Sequence, residues 1–176
     1  MNSLSATTFA SRHVGVAAEA FAAAVFAQCG FDISVQYGAN QPEYDLIVAR
    51  GDQLMKVSVK GSKDGSWGLT QSLLENADYH AAADKWLARH KARTVMCFVQ
   101  FREVGVGAMP RIYLATPAEV AARLKGASGG RGDTILHERY TRGPRAAGAG
   151  TTEELPSTWC FTRERVDELL VTISLA

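Results

Sequence analysis

The chain has 176 residues, of which 47% are hydrophobic and 21% are charged. This composition is typical of a soluble globular domain and argues against extensive disorder. The formal net charge of +1 sets the chain apart from strongly basic DNA-binding proteins, although a local basic surface can exist within a neutral total. Residues 1–12 lack the apolar core of a signal peptide, and the apolar stretch 14–27 is too short to span a bilayer. We therefore expect a cytoplasmic protein whose three cysteines, Cys29, Cys97 and Cys160, are reduced.

The predicted elements alternate between helices and short strands. A helix capped by Thr7 or Thr8 ends near residue 28, where Gly30 allows the left-handed conformation that terminates it. The pattern then predicts strands 31–37, 44–49 and 53–60, a helix 69–90, strands 93–101 and 111–115, a helix 117–125 and a last helix 163–171. Residues 126–156 are glycine-rich and irregular. The first eight elements, in the order α-β-β-β-α-β-β-α, predict a single α/β domain over residues 1–176, with helices flanking a mixed β-sheet.

The second and third strands form a hairpin whose geometry brings polar residues together. Gly51-Asp52 is a favourable two-residue turn, because glycine and aspartate tolerate positive φ. This turn places Asp45 opposite Ser58 and Glu43 opposite Lys60, and strand alternation puts Asp45, Ser58 and Lys60 on one face. Asp45 and Lys60 are then within reach of one small ligand. An ordinary surface ion pair at a strand end is the alternative interpretation.

The first helix carries an isolated carboxylate. Glu19 lies among alanine, valine and phenylalanine, where a buried carboxylate is costly unless another group pairs with it. A half-exposed glutamate at the edge of the helix explains the same pattern equally well.

Together these segments resemble the PD-(D/E)XK nuclease superfamily, and most closely its Holliday-junction-resolvase-like and intron-homing-endonuclease-like branch. The likeness rests on Gly15-x-x-x-Glu19, Tyr44-Asp45-Leu46-Ile47-Val48 and Val57-Ser58-Val59-Lys60, and it covers about residues 8 to 65. It implies hydrolysis of DNA phosphodiesters with Mg²⁺ or Mn²⁺ as cofactor. By the same likeness, Glu19 and Asp45 are metal-binding carboxylates, and Lys60 orients or helps to deprotonate the attacking water.

Ser58 departs from the family pattern, which has glutamate or glutamine at this position. Serine is a poor magnesium ligand, and three interpretations follow. The acid has migrated to Glu75 on the next predicted helix, as in one branch of restriction endonucleases; or Glu19 and Asp45 suffice; or the site is degenerate. In the last case the chain is a nuclease fold that serves as a DNA-binding or protein-assembly module.

Several residues outside the motif are candidates for DNA contact. Trp67 is placed to stack on a base or to anchor its loop in the core. The irregular segment 126–156 carries four arginines that can bind phosphates or remain solvated: Arg131, Arg139, Arg142 and Arg145. A homodimer and a regulatory protein partner are the other associations considered, and an exposed apolar strip around Tyr79 and Trp86 would favour a protein partner.

Overall fold

The computed structural model describes residues 10–36, 43–91 and 93–174. Four helices are present in this part of the chain: α1 (Ser11–Gln28), α2 (Tyr79–Leu87), α3 (Pro117–Gly126) and α4 (Arg163–Ser174). The longer strands are β1 (Asp32–Val35), β2 (Leu46–Arg50), β3 (Gln53–Ser62), β5 (Thr94–Gln100) and β6 (Arg111–Ala115). Four strands of three residues complete the set: β4 (Ser66–Gly68), β7 (Ile135–His137), β8 (Arg139–Thr141) and β9 (Thr152–Glu154).

The five longer strands form one mixed sheet in the order β1-β2-β3-β5-β6. Only the β3–β5 pair is parallel, and α2 lies in the connection between these two strands. The other pairs are antiparallel, and β2 and β3 form the predicted hairpin with Arg50 paired to Gln53. The short strands pair separately, β4 with β7 and β8 with β9. The architecture is therefore the expected mixed α/β sheet with flanking helices.

The sheet separates two hydrophobic clusters. Residues of α1 and α4 pack on one face, against the side chains of Met55, Val57 and Val59 from β3. Residues of α2 and α3 pack on the other face, against Met96 and Phe98 from β5. Because the chain buries apolar residues on both faces, the interior strand β5 is buried along its whole length, as expected for the middle layer of a three-layer structure.

Helix α1 lies unusually close to the end of β3. A Cβ atom built on Gly61 would be 2.8 Å from the carbonyl oxygen of Val14 and 2.9 Å from the Cβ of Ala18. Only glycine fits at this contact, and the alanines of α1 allow the helix backbone to approach. The contact fixes where the middle of α1, including Glu19, lies relative to Lys60.

The predicted helix 69–90 is wrong over its first half. This half forms a loop with a 3-10 turn (Gln71–Leu73), and α2 begins only at Tyr79, where Asp78 caps it by accepting a hydrogen bond from the Ala81 N–H. Asn76 and Ala77 have φ values of 50° and 58°, which no α-helix accommodates. Leu69 and Leu73 still pack into the core, so their apolar spacing imitated a helix.

Other predictions need smaller corrections. The predicted element order lacks the four short strands, three of which lie in the segment expected to be irregular. Helix α1 begins at Ser11, and the predicted caps Thr7 and Thr8 lie outside the described residues.

Trp86 is buried, so the apolar strip proposed for a protein partner is not exposed there. Cys29 and Cys97 are buried free thiols, whereas Cys160 is an exposed one. No helix within the described ranges is long and apolar enough to cross a membrane.

Candidate functional site

Asp45 lies in a backbone irregularity at the start of β2. Leu46 is the register partner of Val57, yet the N–H of Asp45 also bonds to the Val57 carbonyl, at 2.9 Å. Two successive residues therefore face one residue of β3, which is the arrangement of a β-bulge. The Oδ2 atom of Asp45 then accepts a hydrogen bond of 2.6 Å from the backbone N–H of Val59. The side chain thus takes the place of a backbone carbonyl in the ladder.

This bulge changes the predicted position of the carboxylate. Strand alternation predicted Asp45 on the same face as Ser58 and Lys60. Because ladder N–H groups point sideways within the sheet, the Asp45 carboxylate lies near the plane of the sheet rather than on either face. Burial raises the pKa of the Cys97 thiol on the α1 face, and the charge of Asp45 raises it further. We call the region formed by Asp45, Val59 and Lys60 the open end of the hairpin.

Glu19 faces this open end from α1. Its carboxyl group is half-buried, and burial raises its pKa above the ordinary value of 4.5. The negative charge of Asp45 raises the pKa further, and the positive charge of Lys60 partly offsets the increase. Glu19, Asp45 and Lys60, which come from three different elements, therefore share one electrostatic environment.

The backbone around Lys60 is held from both faces of the sheet. On one side Gly61 packs against α1, as described above. On the other, the indole Nε1–H of Trp67 donates a hydrogen bond of 2.8 Å to the Lys60 carbonyl. The Lys60 side chain itself is exposed, so a fixed backbone presents a solvent-accessible ammonium group at the open end of the hairpin.

Two further side chains near the open end of the hairpin, those of His90 and Glu43, have contacts that the sequence did not indicate. Burial lowers the pKa of His90, and the positive charge of Lys60 lowers it further. A hydrogen bond to the Trp86 carbonyl and the negative charge of Glu43 act in the opposite direction and raise this pKa. His90 is thus near Lys60, just beyond the end of α2. Glu43 was predicted opposite Lys60; the paired register of the hairpin ends at Leu46 and Val57, and the Oε1 of Glu43 accepts hydrogen bonds of 3.0 Å from the Lys91 N–H and the Thr94 hydroxyl.

The sequence analysis considered Ser58 and Glu75 for the position at which the family has glutamate or glutamine. These two residues lie in different surroundings. Ser58 is 2% exposed and pairs with Met96, on the face of the sheet that packs against α2 and α3. Glu75 lies in the loop before α2, where its Oε2 accepts a hydrogen bond of 2.8 Å from Lys85 and its side chain is 73% exposed. The charge of Glu75 is therefore already paired at the surface.

Most of the predicted DNA contacts outside the hairpin have structural partners. Trp67 is 3% exposed and packs edge-on against Phe98, so it is a core anchor, and stacking of a base on its ring is wrong for this structure. Arg139 pairs with Glu154. Arg142 is 8% exposed, and its guanidinium pairs with both Glu153 and Asp133. The remaining two, Arg131 and Arg145, line a common pocket on the surface.

Gly61 is the residue of this region that the sequence analysis missed. Its signal was a glycine directly after Lys60 inside a strand, which often marks a close approach of another backbone. The β-bulge at Asp45 had no comparable signal, because the hairpin pattern continues through Tyr44 without a break.

The side chains at the open end of the hairpin fit a hard divalent cation in their chemistry. Within residues 10–36, 43–91 and 93–174, no three or more His, Cys, Asp or Glu side chains surround a common metal position. Mg²⁺ does not require such a cage, because one or two carboxylates together with substrate phosphate and water complete its octahedron. Glu19 and Asp45 supply two carboxylates. The negative charge of Asp45 helps to raise the pKa of Glu19, and a bound cation would relieve this repulsion.

A mixed sheet with helices on both faces defines an α/β fold of three layers. One solved structure with a similar fold is that of a bacterial homing endonuclease, I-Ssp6803I, with a TM-score of 0.50 and 15% sequence identity. The match covers 94% of this chain and 95% of that one. No family model and no curated protein matches the sequence. At this identity the likeness is one of fold.

Proposed function

We propose that this chain is a metal-dependent deoxyribonuclease of the PD-(D/E)XK type, with its active site at the open end of the hairpin. One observation carries the proposal: α1 packs against Gly61 at the end of β3, where the Val59 N–H also holds Asp45, so the elements that carry Glu19, Asp45 and Lys60 meet at one end of the hairpin. A nuclease-like fold over nearly the whole chain supports the same conclusion.

Each of the three side chains has a distinct part in this proposal. A bound Mg²⁺ or Mn²⁺, held by Glu19 and Asp45, would supply positive charge to the scissile phosphate and polarise a water molecule. The Val59 N–H holds the Asp45 carboxylate in place through Oδ2, so its orientation is set before a cation would bind. Lys60 orients the attacking water and donates hydrogen bonds to the phosphate oxygens on which negative charge develops.

The proposed site needs two carboxylates and does not require a migrated acid. Ser58 is buried on the α2 and α3 face of the sheet, and Glu75 is paired with Lys85. We therefore expect Glu75→Ala to retain cleavage within a few-fold of the natural chain. If Glu75→Ala abolishes cleavage as completely as Asp45→Asn does, the acid has migrated and Glu75 belongs to the site.

Cleavage of DNA by the full chain tests the proposal. Linear and branched duplexes are incubated with Mg²⁺ or Mn²⁺, and we expect Asp45→Asn and Lys60→Ala to lower the rate by at least about 100-fold, the usual effect of removing one electrostatic or acid–base group. Asp52→Asn is the matched control, because Asp52 is an exposed aspartate at the opposite end of the same hairpin. It should retain the full rate.

Binding of the cation gives a second, independent measurement. Mg²⁺ or Mn²⁺ should raise the melting temperature of the natural chain, because a ligand that binds only the folded state stabilises it. Asp45→Asn should lose this increase. If neither ion raises the melting temperature and no DNA is cut, the catalytic proposal fails, and a DNA-binding or assembly module becomes the better account of the fold.

A further inference from the structure

The four arginines of residues 126–156 divide into two pairs. Arg139 and Arg142 are matched by carboxylates, the first by Glu154 and the second by Glu153 and Asp133. For Arg131 and Arg145, no carboxylate lies within ion-pair distance in the described part of the chain. Both side chains belong to exposed residues. Unpaired guanidinium groups at a surface are available to an anionic partner.

Arg131 and Arg145 line the same pocket, which we call the arginine pocket. Its volume is about 160 Å³, and its wall is completed by Tyr79, Ser128, Gly132, Asp133, Arg142, Ala146 and Ala147. The buried Arg142 balances Asp133 from inside the wall, at 2.8 Å. The two unpaired arginines therefore give the pocket a net positive charge.

The pocket is held in shape by contacts specific to Arg131. Its guanidinium lies 5.1 Å from the centre of the Tyr79 ring, and its Nη2 donates a hydrogen bond of 3.4 Å to the Tyr79 hydroxyl. Gly132 makes this possible: its φ is +95°, and a Cβ there would be 2.6 Å from the Cβ of Tyr79. A guanidinium stacked on an aromatic ring loses little freedom when it binds a planar or tetrahedral oxyanion.

We propose that the arginine pocket binds a backbone phosphate of the DNA substrate through Arg131 and Arg145. The inference rests on the proposed function for the identity of the anion. It assigns to these two arginines a positioning role that is independent of base sequence, because phosphate contacts fix register without reading bases. Arg139 and Arg142 instead stabilise the surrounding loops.

Binding without cleavage tests the proposal directly. The full chain is titrated with a fluorescent duplex in EDTA over a series of salt concentrations. Arg131→Ala and Arg145→Ala should each weaken binding by roughly five- to tenfold and lower the salt dependence of the affinity by about one unit of slope. Arg139→Ala is the matched control, an exposed arginine of the same segment that is already paired, and its affinity should change less than about twofold. The effects should be equal for duplexes of unrelated sequence.

Conservative variants separate charge from shape. Arg131→Lys keeps the charge but loses the stacked, planar group, so it should retain the salt slope of the natural chain and recover only part of the affinity. Melting temperatures of all variants establish that each one is folded. Loss of affinity to the same extent in Arg139→Ala, or no loss in Arg131→Ala and Arg145→Ala, would overturn the assignment of the pocket.

The outcomes also distinguish this inference from the proposed function. If the arginine variants bind DNA normally while Asp45→Asn still abolishes cleavage, the pocket proposal fails and the nuclease proposal stands. If the natural chain binds no DNA, both fail. If binding depends on Arg131 and Arg145 but the natural chain cuts nothing with either cation, the pocket stands and the chain is a DNA-binding module.

Discussion

At the scale of single residues, Glu19 is a carboxylate whose ionisation the structure opposes, whereas the pKa values of Asp64, Glu138 and Glu153 are lowered. Burial and the nearby charge of Asp45 raise its pKa, and Lys60 compensates only in part. A charge that costs stability without a role in the fold is typical of functional sites, where natural proteins give up stability for activity.

Removing this charge should stabilise the protein at neutral pH. A raised pKa means that the folded chain holds the Glu19 proton more tightly than the unfolded chain. The resulting stabilisation is therefore complete below the ordinary value of 4.5 and is lost as the pH rises through the raised value. In EDTA at about pH 7, Glu19→Gln should raise the melting temperature by up to about 4 °C, the shift that about 1 kcal/mol produces in a chain of this size. Near pH 4 the gain should disappear.

Glu75→Gln is the control for this experiment. Its carboxylate forms an exposed ion pair with Lys85, so neutralising it should bring no gain at either pH. A Glu19→Gln variant that is less stable than the natural chain at neutral pH would show that Glu19 is held by favourable contacts, and that its surroundings do not oppose its charge.

The residues of the site could be predicted from the sequence to the extent that local geometry determines them. The Gly51-Asp52 turn fixed the hairpin register, and this register brought Asp45 and Lys60 to the same end. The orientation of Asp45 could not be predicted, because it depends on a bulge that shows only when the hydrogen bonds are known. The burial of Trp67 depends on strands β4 and β7, whose pairing joins segments far apart in sequence.

At the scale of elements, the contact between α1 and β3 positions the first of the two carboxylates. Gly61 permits it, and Gly15 on the helix itself takes no part, because a Cβ built on Gly15 would meet no atom within 4 Å. The two glycines therefore serve as a matched pair for substitution by alanine.

We expect the two alanine variants to change stability in opposite directions. Gly61→Ala forces a methyl group against the Val14 carbonyl and Ala18, which should cost about 1 to 3 kcal/mol and move α1 away from the hairpin. Cleavage should fall with it, because Glu19 moves as well. Gly15→Ala should instead gain up to about 1 kcal/mol from the higher helix propensity of alanine. Urea denaturation measures both; equal changes of the same sign would contradict the packing described.

The elements that the sequence predicted well are those whose apolar pattern and turns agree. Strands β5 and β6 and helix α3 lie close to their predicted positions; α3 begins as its Thr116-Pro117 start indicates. The segment 69–90 failed because Leu69 and Leu73 are spaced as on a helix but are buried from a loop and a 3-10 turn. Tertiary packing decided this segment, and local propensity did not.

At the scale of the whole molecule, one buried guanidinium ties peripheral elements to the sheet. Arg165 of α4 is 6% exposed. Its Nη2 lies 2.7 Å from Oε1 of Glu119 in α3, and its Nη1 bonds to Glu168 at 2.9 Å. It also donates to the Leu114 carbonyl of β6. One guanidinium therefore links two helices that lie on opposite faces of the sheet.

Loss of this link should be costly. Arg165→Ala leaves Glu119 and the Leu114 carbonyl without their donor, and we expect a decrease in the free energy of unfolding of about 3 kcal/mol. Arg163→Ala, on the same helix, removes an exposed arginine with one long hydrogen bond of 3.4 Å to the Gln28 carbonyl. It should cost less than about 0.5 kcal/mol. Similar values for the two variants in urea denaturation would show that the buried link does not stabilise the fold.

The hydrogen bond from the Val59 N–H to Asp45 allows hydrogen exchange at one amide to report whether the proposed site is intact. The amide proton of Val59 is shielded from solvent exchange only while it is bonded to the Asp45 carboxylate. Its exchange rate, read by nuclear magnetic resonance, should therefore report how often the site comes apart, without substrate or cation. Asp45→Asn keeps an oxygen acceptor and should preserve slow exchange, whereas Asp45→Ala should release the proton and fray the hairpin. The aspartate that we propose as a ligand of the cation also completes the ladder, so we expect the strand pairing and the proposed site to form together during folding.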